Sequence, residues 1–162
     1  MINWLTVRNF IIVRDVEVVF SPGMTVLTGE TGAGKSLIVD AMTILLGDRT
    51  SADIIRPGAD STEIQAGFDV SANPQAMEWL AEQALTSEDD ECILRRVVFR
   101  DKASRGFVNG RPVPIQSLRA VGDLLVDIHG QNEHHLLLKR DVQRTTLDAF
   151  AHIQSTVTKV GD

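Results

Sequence analysis

Apolar and polar residues alternate along most of the chain, and the period of the alternation predicts its elements. Trp4-Leu5-Thr6-Val7 and Val16-Glu17-Val18-Val19-Phe20 predict two strands, with a bend within residues 9–15. Ser21-Pro22-Gly23 has turn chemistry, and the apolar run Met24-Thr25-Val26-Leu27 predicts a third strand. The period then lengthens. Leu37, Ile38, Ala41, Met42, Leu45 and Leu46 form the broad stripe of a buried helix, and Gly47 is placed to end it at C′. Residues 48–60, with Arg56-Pro57-Gly58, predict a connecting loop. Residues 63–70 return to strict alternation, with Ile64, Ala66, Phe68 and Val70 on one face. Asn73-Pro74 predicts an N-cap and first helical position for a helix running to about residue 85.

The acidic run 87–91 predicts a solvated loop, and residues 92–100 a strand. Asn-Gly inside Phe107-Val108-Asn109-Gly110-Arg111 is the strongest hairpin signal in the chain. Residues 115–121 predict a helix, and residues 124–128 a short buried strand leading into His129-Gly130-Gln131. From residue 139 the pattern turns helical and polar. Phe150, Ile153, Val157 and Val160 step by 3, 4 and 3, which suits the start of a coiled coil and equally a helix packed on its own domain. No internal repeat or low-complexity segment interrupts the chain.

The junction between the third strand and the first helix carries chemistry. Gly29-Glu30-Thr31-Gly32-Ala33-Gly34-Lys35-Ser36 is a complete G-x-x-x-x-G-K-[ST] loop, set between strand and helix as the motif requires. Its glycines let successive backbone N–H groups turn inward into a nest for anionic oxygens. The helix N-terminus adds its partial positive charge at the same point. Lys35 is placed to reach the β- and γ-phosphates of a nucleoside triphosphate, and the Ser36 hydroxyl to ligate Mg²⁺.

Composition changes this picture little. At 162 residues the chain suits one domain with a real core, and 43% hydrophobic with 23% charged residues is a globular composition. A net charge of −6 leaves no overall basic field, so contact with nucleic acid needs a local patch or another part of the protein. The single cysteine, Cys92, excludes an internal disulfide and sits in a strand pattern that predicts burial. No apolar run has the length of a membrane span and no signal pattern opens the chain, which predicts a soluble intracellular protein.

Other candidates are weaker. His129, Glu133 and His134 lie close together but lack the H-E-x-x-H and H-x-x-E-H zinc spacings. Arg95, Arg96, Arg100, Lys102, Arg105 and Arg111 cluster on the strand and hairpin region, with Arg96 and Arg100 on one face and Arg95 on the other. They are candidates for DNA phosphates, or for the charged guard of an edge strand. Asp127, ending Leu124-Leu125-Val126, resembles the apolar-run-plus-Asp strand that holds Mg²⁺ in many P-loop enzymes. On that alternative the chain is a self-contained small NTPase or kinase. The sequence has no tyrosine, which excludes a tyrosine platform for adenine.

Three segments together resemble the N-terminal half of the ATPase head of the RecN family, the bacterial SMC-like DNA-repair proteins. They are Leu27-Thr28 running into the 29–36 loop, Phe107-Val108-Asn109-Gly110-Arg111-Pro112-Val113, and Leu125-Val126-Asp127-Ile128-His129-Gly130-Gln131-Asn132-Glu133-His134. The similarity runs from about residue 2 to residue 150. It implies an α/β fold of the ABC/SMC P-loop head type: antiparallel N-terminal strands, a P-loop core, and the start of a coiled-coil helix. Residues 1–138 would be the head portion and 139–162 the helix. It implies that Gln131 is the Q-loop glutamine, whose amide oxygen can ligate Mg²⁺ and whose NH₂ can meet water or phosphate. Arg14 matches a position where such heads touch the nucleotide.

The same resemblance implies ATP and Mg²⁺ as cofactors and double-strand break repair and recombination as the process, in the bacterial cytoplasm at the nucleoid. The implied partners are a C-terminal half of the head, a second head in an ATP-bridged homodimer, and DNA; no membrane is involved. The family completes its site with a Leu-Ser-Gly-Gly-type signature and a strand ending Asp-Glu, and neither is within these 162 residues. The expectation is a chain that binds ATP with little turnover of its own.

Overall fold

The computed structural model describes residues 1–28 and 35–128, with residue 35 described by its backbone. The N-terminal alternation becomes β1 (Ile2–Phe10) and β2 (Val13–Val19), longer strands than predicted and joined by a tight turn at residues 11–12. Asn9 and Ile11 take positive φ, 51° and 52°, in this turn. The following loop holds it: Ile11 N–H donates to Ile54 O at 2.7 Å, and Arg56 N–H to Asn9 O at 2.8 Å. Then come α1 (Lys35–Leu45), a 3-10 turn (Ala52–Ile54), β3 (Ser61–Asp69), α2 (Pro74–Glu82), β4 (Glu91–Phe99), β5 (Arg105–Val108), β6 (Arg111–Val113) and α3 (Ile115–Leu125).

The six strands form one antiparallel sheet in the order β2-β1-β3-β4-β5-β6. Because side chains alternate between faces, the register assembles the core row by row. Leu5, Ala66, Leu94 and Val108 are cross-strand neighbours, as are Val7, Ile64, Arg96 and Gly106. Both rows are buried, and Leu118 lies directly over Gly106. Helices cover this face. α1 packs on β3 and β4, α3 packs on β5, and α2 lies against α3. Gly106 and Gly122 make room for α3: a Cβ at 106 would meet Leu118 Cδ1 at 2.8 Å, and one at 122 would meet Leu46 Cδ2 at 2.8 Å.

Local signals set several boundaries as predicted. α1 stops where Gly47 takes φ +104°, with Gly47 N–H donating to Ile44 O and Asp48 N–H to Thr43 O, each at 3.1 Å. Those two bonds are a Schellman closure. Asn73 caps α2 by accepting from Ala76 N–H at 3.1 Å, and its Nδ2 donates to Leu124 O at 2.8 Å. Asn109 and Gly110, both at positive φ, turn β5 into β6.

Two predicted strands do not form. Residues 24–28 pair with no described strand, and Met24 is 92% exposed and Val26 66%. An apolar run becomes a strand only where a neighbour accepts its ladder, and none of the six described strands does so. Residues 124–128 also join no ladder. α3 runs through Leu125 and closes with Val126 N–H on Gly122 O at 3.0 Å. Short apolar runs do not distinguish strand from helix, and packing of Leu118, Val121 and Gly122 selects the helix.

Candidate functional site

α1 is the element that carries the candidate chemistry. Lys35 and Ser36 open it, Ser36 is exposed, and its first turn holds no acidic side chain. The first N–H groups of a helix have no intrahelical acceptor, so this end favours an anion. A serine hydroxyl there is a suitable Mg²⁺ ligand and the open N–H groups suit phosphate oxygens, so the residues present fit a Mg²⁺–nucleotide. Residues 29–34 and Gln131 lie outside the described residues, as do His129, Glu133, His134 and residues 139–162, where the sequence predicts a helix.

The opposite end of α1 is held by a residue whose role the sequence reading missed. Arg96, on the inward row of β4, is 4% exposed. Its Nη1 donates to Ile44 O and, at 2.7 Å, to Asp48 O. Burial pulls its pKa below the ordinary arginine value, and the charge of Asp48 opposes that shift. Its position corrects the reading of Arg96 as a DNA contact: a guanidinium facing the core and committed to two carbonyls meets no polyanion. The signal was present, because Arg96 falls on the same alternating face as Cys92, Leu94 and Val98.

The other basic residues lie nearer the surface. Arg95, on the opposite face as predicted, donates from Nη2 to Glu63 Oε2 at 2.6 Å and lies 4.9 Å from the Phe107 ring centroid. Lys102 Nζ stands 4.3 Å over the Phe99 ring, with Arg105 at 5.8 Å. Arg100 Nη2 donates to Ala59 O at 3.0 Å, and Arg111 Nη1 to Ala84 O. Arg14 is exposed on β2. Asp127 is exposed two residues beyond α3 and on no strand, so the strand context its Mg²⁺-site reading requires is not formed. Cys92 is buried as predicted, and desolvation pushes its thiol up to about 12.

A six-stranded antiparallel sheet backed by a helix that begins at Lys35 has the α/β fold of ABC/SMC-type heads. Residues 5–155 match the AAA domain family, and the chain belongs to it. Among solved structures it is similar to an SMC ATPase from work on ATP-driven dimerisation and DNA-stimulated activation, with TM-score 0.60 and 23% identity over 90% of each chain. It is also similar to the SMC head of Thermotoga maritima, with TM-score 0.56 and 23% identity over 74% of this chain and 41% of that one. The recombination mediator RecF gives TM-score 0.57 at 13% identity, over 73% of this chain and 29% of that one. At these identities the likeness is one of fold.

Curated relatives narrow the resemblance to DNA repair protein RecN. The chain is 44% identical to that of Vibrio cholerae over 151 residues, which is 93% of this chain and 27% of that protein. It is 40% identical to that of Bacillus subtilis over 93% of this chain and 26% of that protein. The chain therefore spans about a quarter of the length of these relatives. Membership of an ATPase family implies nucleotide binding. No helix among the described residues is long and apolar enough to cross a membrane.

Proposed function

We propose that this chain is the nucleotide-binding half of an SMC-like ATPase head in a bacterial protein of DNA double-strand break repair. The single observation that carries this reading is the complete phosphate loop leading directly into α1, whose first turn presents Ser36 and no acidic side chain. On this reading backbone N–H groups of residues 29–34 would cradle the phosphates of ATP, Lys35 would neutralise the β- and γ-phosphates, and Ser36 with Gln131 would hold Mg²⁺. Bound Mg²⁺ would supply charge neutralisation at the phosphates. On this reading the chain's own residues bind and orient the nucleotide, while the attacking water is activated elsewhere.

The exposed apolar residues at the β2 edge support a second half of the head. Val19 is 72% exposed, and Met24, Val26 and Leu27 follow in the unpaired segment. A strand supplied by the remainder of the protein would complete the ladder and cover them. Residues 1–138 then form the N-terminal head portion, and residues 139–162 lead into the coiled coil. ATP bridges two such heads in a homodimer, and head closure governs how the protein holds DNA at the nucleoid.

The test is binding and turnover of Mg²⁺-ATP by the isolated 162-residue chain beside Lys35→Ala. Binding that is lost in the variant, without turnover, is the expected result. Turnover by the chain alone on the order of 1 s⁻¹ or more would show that it supplies its own base and would overturn the half-site reading.

A further inference from the structure

Arg96 is a costly choice for its position. Its side chain occupies the inward row between Ile64 on β3 and Gly106 on β5, and among the described residues no carboxylate makes an ion pair with it. Its Nε is buried with no hydrogen-bond partner among the described residues. A charge removed from water and matched only by carbonyl dipoles is poor value for stability, and an apolar side chain of similar length would fill the row at lower cost. What the guanidinium does that an apolar side chain cannot is hold two particular oxygens. Both belong to the end of α1: Ile44 O, which also accepts Gly47 N–H, and Asp48 O just beyond the glycine.

α1 has 11 residues and is therefore about 16 Å long. A hydrogen-bonded helix of that length moves as a rod, so fixing its C-terminal end against β4 fixes the axis on which its first residues stand. Those residues are Lys35 and Ser36. Arg119 and Ile115 of α3 crowd Gly47 from the other side: a Cβ at 47 would stand 3.0 Å from Arg119 Cβ and 3.2 Å from Ile115 O. The helix end is thus held between β4 and α3.

We propose that Arg96 is a positioning residue for nucleotide binding, pinning the C-terminal end of α1 to the sheet so that Lys35 and Ser36 are held in register with the phosphates. This rests on the nucleotide-binding reading above. Both bonds leave one nitrogen, Nη1, so Arg96→Lys keeps the charge and a multiple donor but reaches one bond less far and replaces the two contacts only in part.

The experiment uses the full-length protein with Arg96→Met, Arg96→Lys and Arg96→Ala, measuring Mg²⁺-ATP affinity and thermal unfolding midpoint for each. Arg96→Met is expected to weaken ATP binding about tenfold at a temperature where the variant is fully folded, with Arg96→Lys between it and wild type. Guanidinium ion at low millimolar concentration is expected to restore affinity to Arg96→Ala, a rescue that a purely space-filling role does not produce. Wild-type affinity in the folded variants, or a loss that appears only where they unfold, would overturn the proposal. Lys35→Ala separates the two readings: if it still bound Mg²⁺-ATP normally, the phosphate-loop assignment itself would fall, and this proposal with it.

Discussion

Asn109 joins three elements through one side chain, and its replacement gives a magnitude that can be worked in parts. Its Oδ1 accepts the Ile93 N–H at 2.7 Å, its Nδ2 donates to Leu85 O at 2.7 Å, and its backbone sits at φ +47°. Each part-buried neutral hydrogen bond contributes about 1 kcal/mol net. A residue with a Cβ and no polar side chain adds about 1 kcal/mol for the left-handed backbone. Asn109→Ala should therefore cost about 3 kcal/mol, a large share of the 5–15 kcal/mol typical of a folded domain. Asn109→Gly relieves the backbone and should cost about 2 kcal/mol from the bonds alone. Urea unfolding followed by the fluorescence of Trp4 and Trp79 reads both. A glycine variant with the wild-type midpoint would refute the hydrogen-bond accounting, and an alanine variant no worse than glycine would refute the backbone part.

Two further outcomes follow from the same packing. A Cβ at Gly67 would overlap Nε1 and Cε2 of the Trp4 indole and sit 2.7 Å from Glu91 Oε1. Gly67→Ala should therefore displace the indole, break its 3.3 Å bond to Glu91 and cost about 1–3 kcal/mol; an unshifted indole N–H resonance would contradict this. The Cys92 thiol, raised from 9.0 to about 12, should react with iodoacetamide at pH 8 about a thousandfold more slowly in the folded protein than in denaturant. Because the folded pKa is the higher one, the stabilisation linked to the neutral thiol is complete below pH 9 and is lost as pH rises toward 12. Equal labelling rates in the two states would overturn the burial argument.

The features legible in the sequence are those that a few neighbouring residues decide. Alternation in residues 63–70 announced β3, because period-two side chains can face a core only on a pleated strand, and the short apolar stretches of residues 92–100 announced β4. Gly47 announced the end of α1 and Asn109-Gly110 the turn between β5 and β6, because each accepts a backbone conformation that few residues tolerate. The phosphate-loop motif at residues 29–36 is local in the same sense, because its glycines, lysine and serine are contiguous, and the site built on it is the proposal made above.

Only the tertiary structure decided the rest. Residues 24–27 have the composition of a strand, but a strand needs a neighbour, and none of the described strands pairs with them. Residues 124 and 125 are as apolar as a buried strand, yet the contacts of Leu118, Val121 and Gly122 draw them into α3. Arg96 was visible as one charge in a basic cluster. That it holds the end of α1, through Ile44 O and Asp48 O, 52 and 48 positions away in sequence, depends on where β4 and α1 meet, and no local pattern carries that distance.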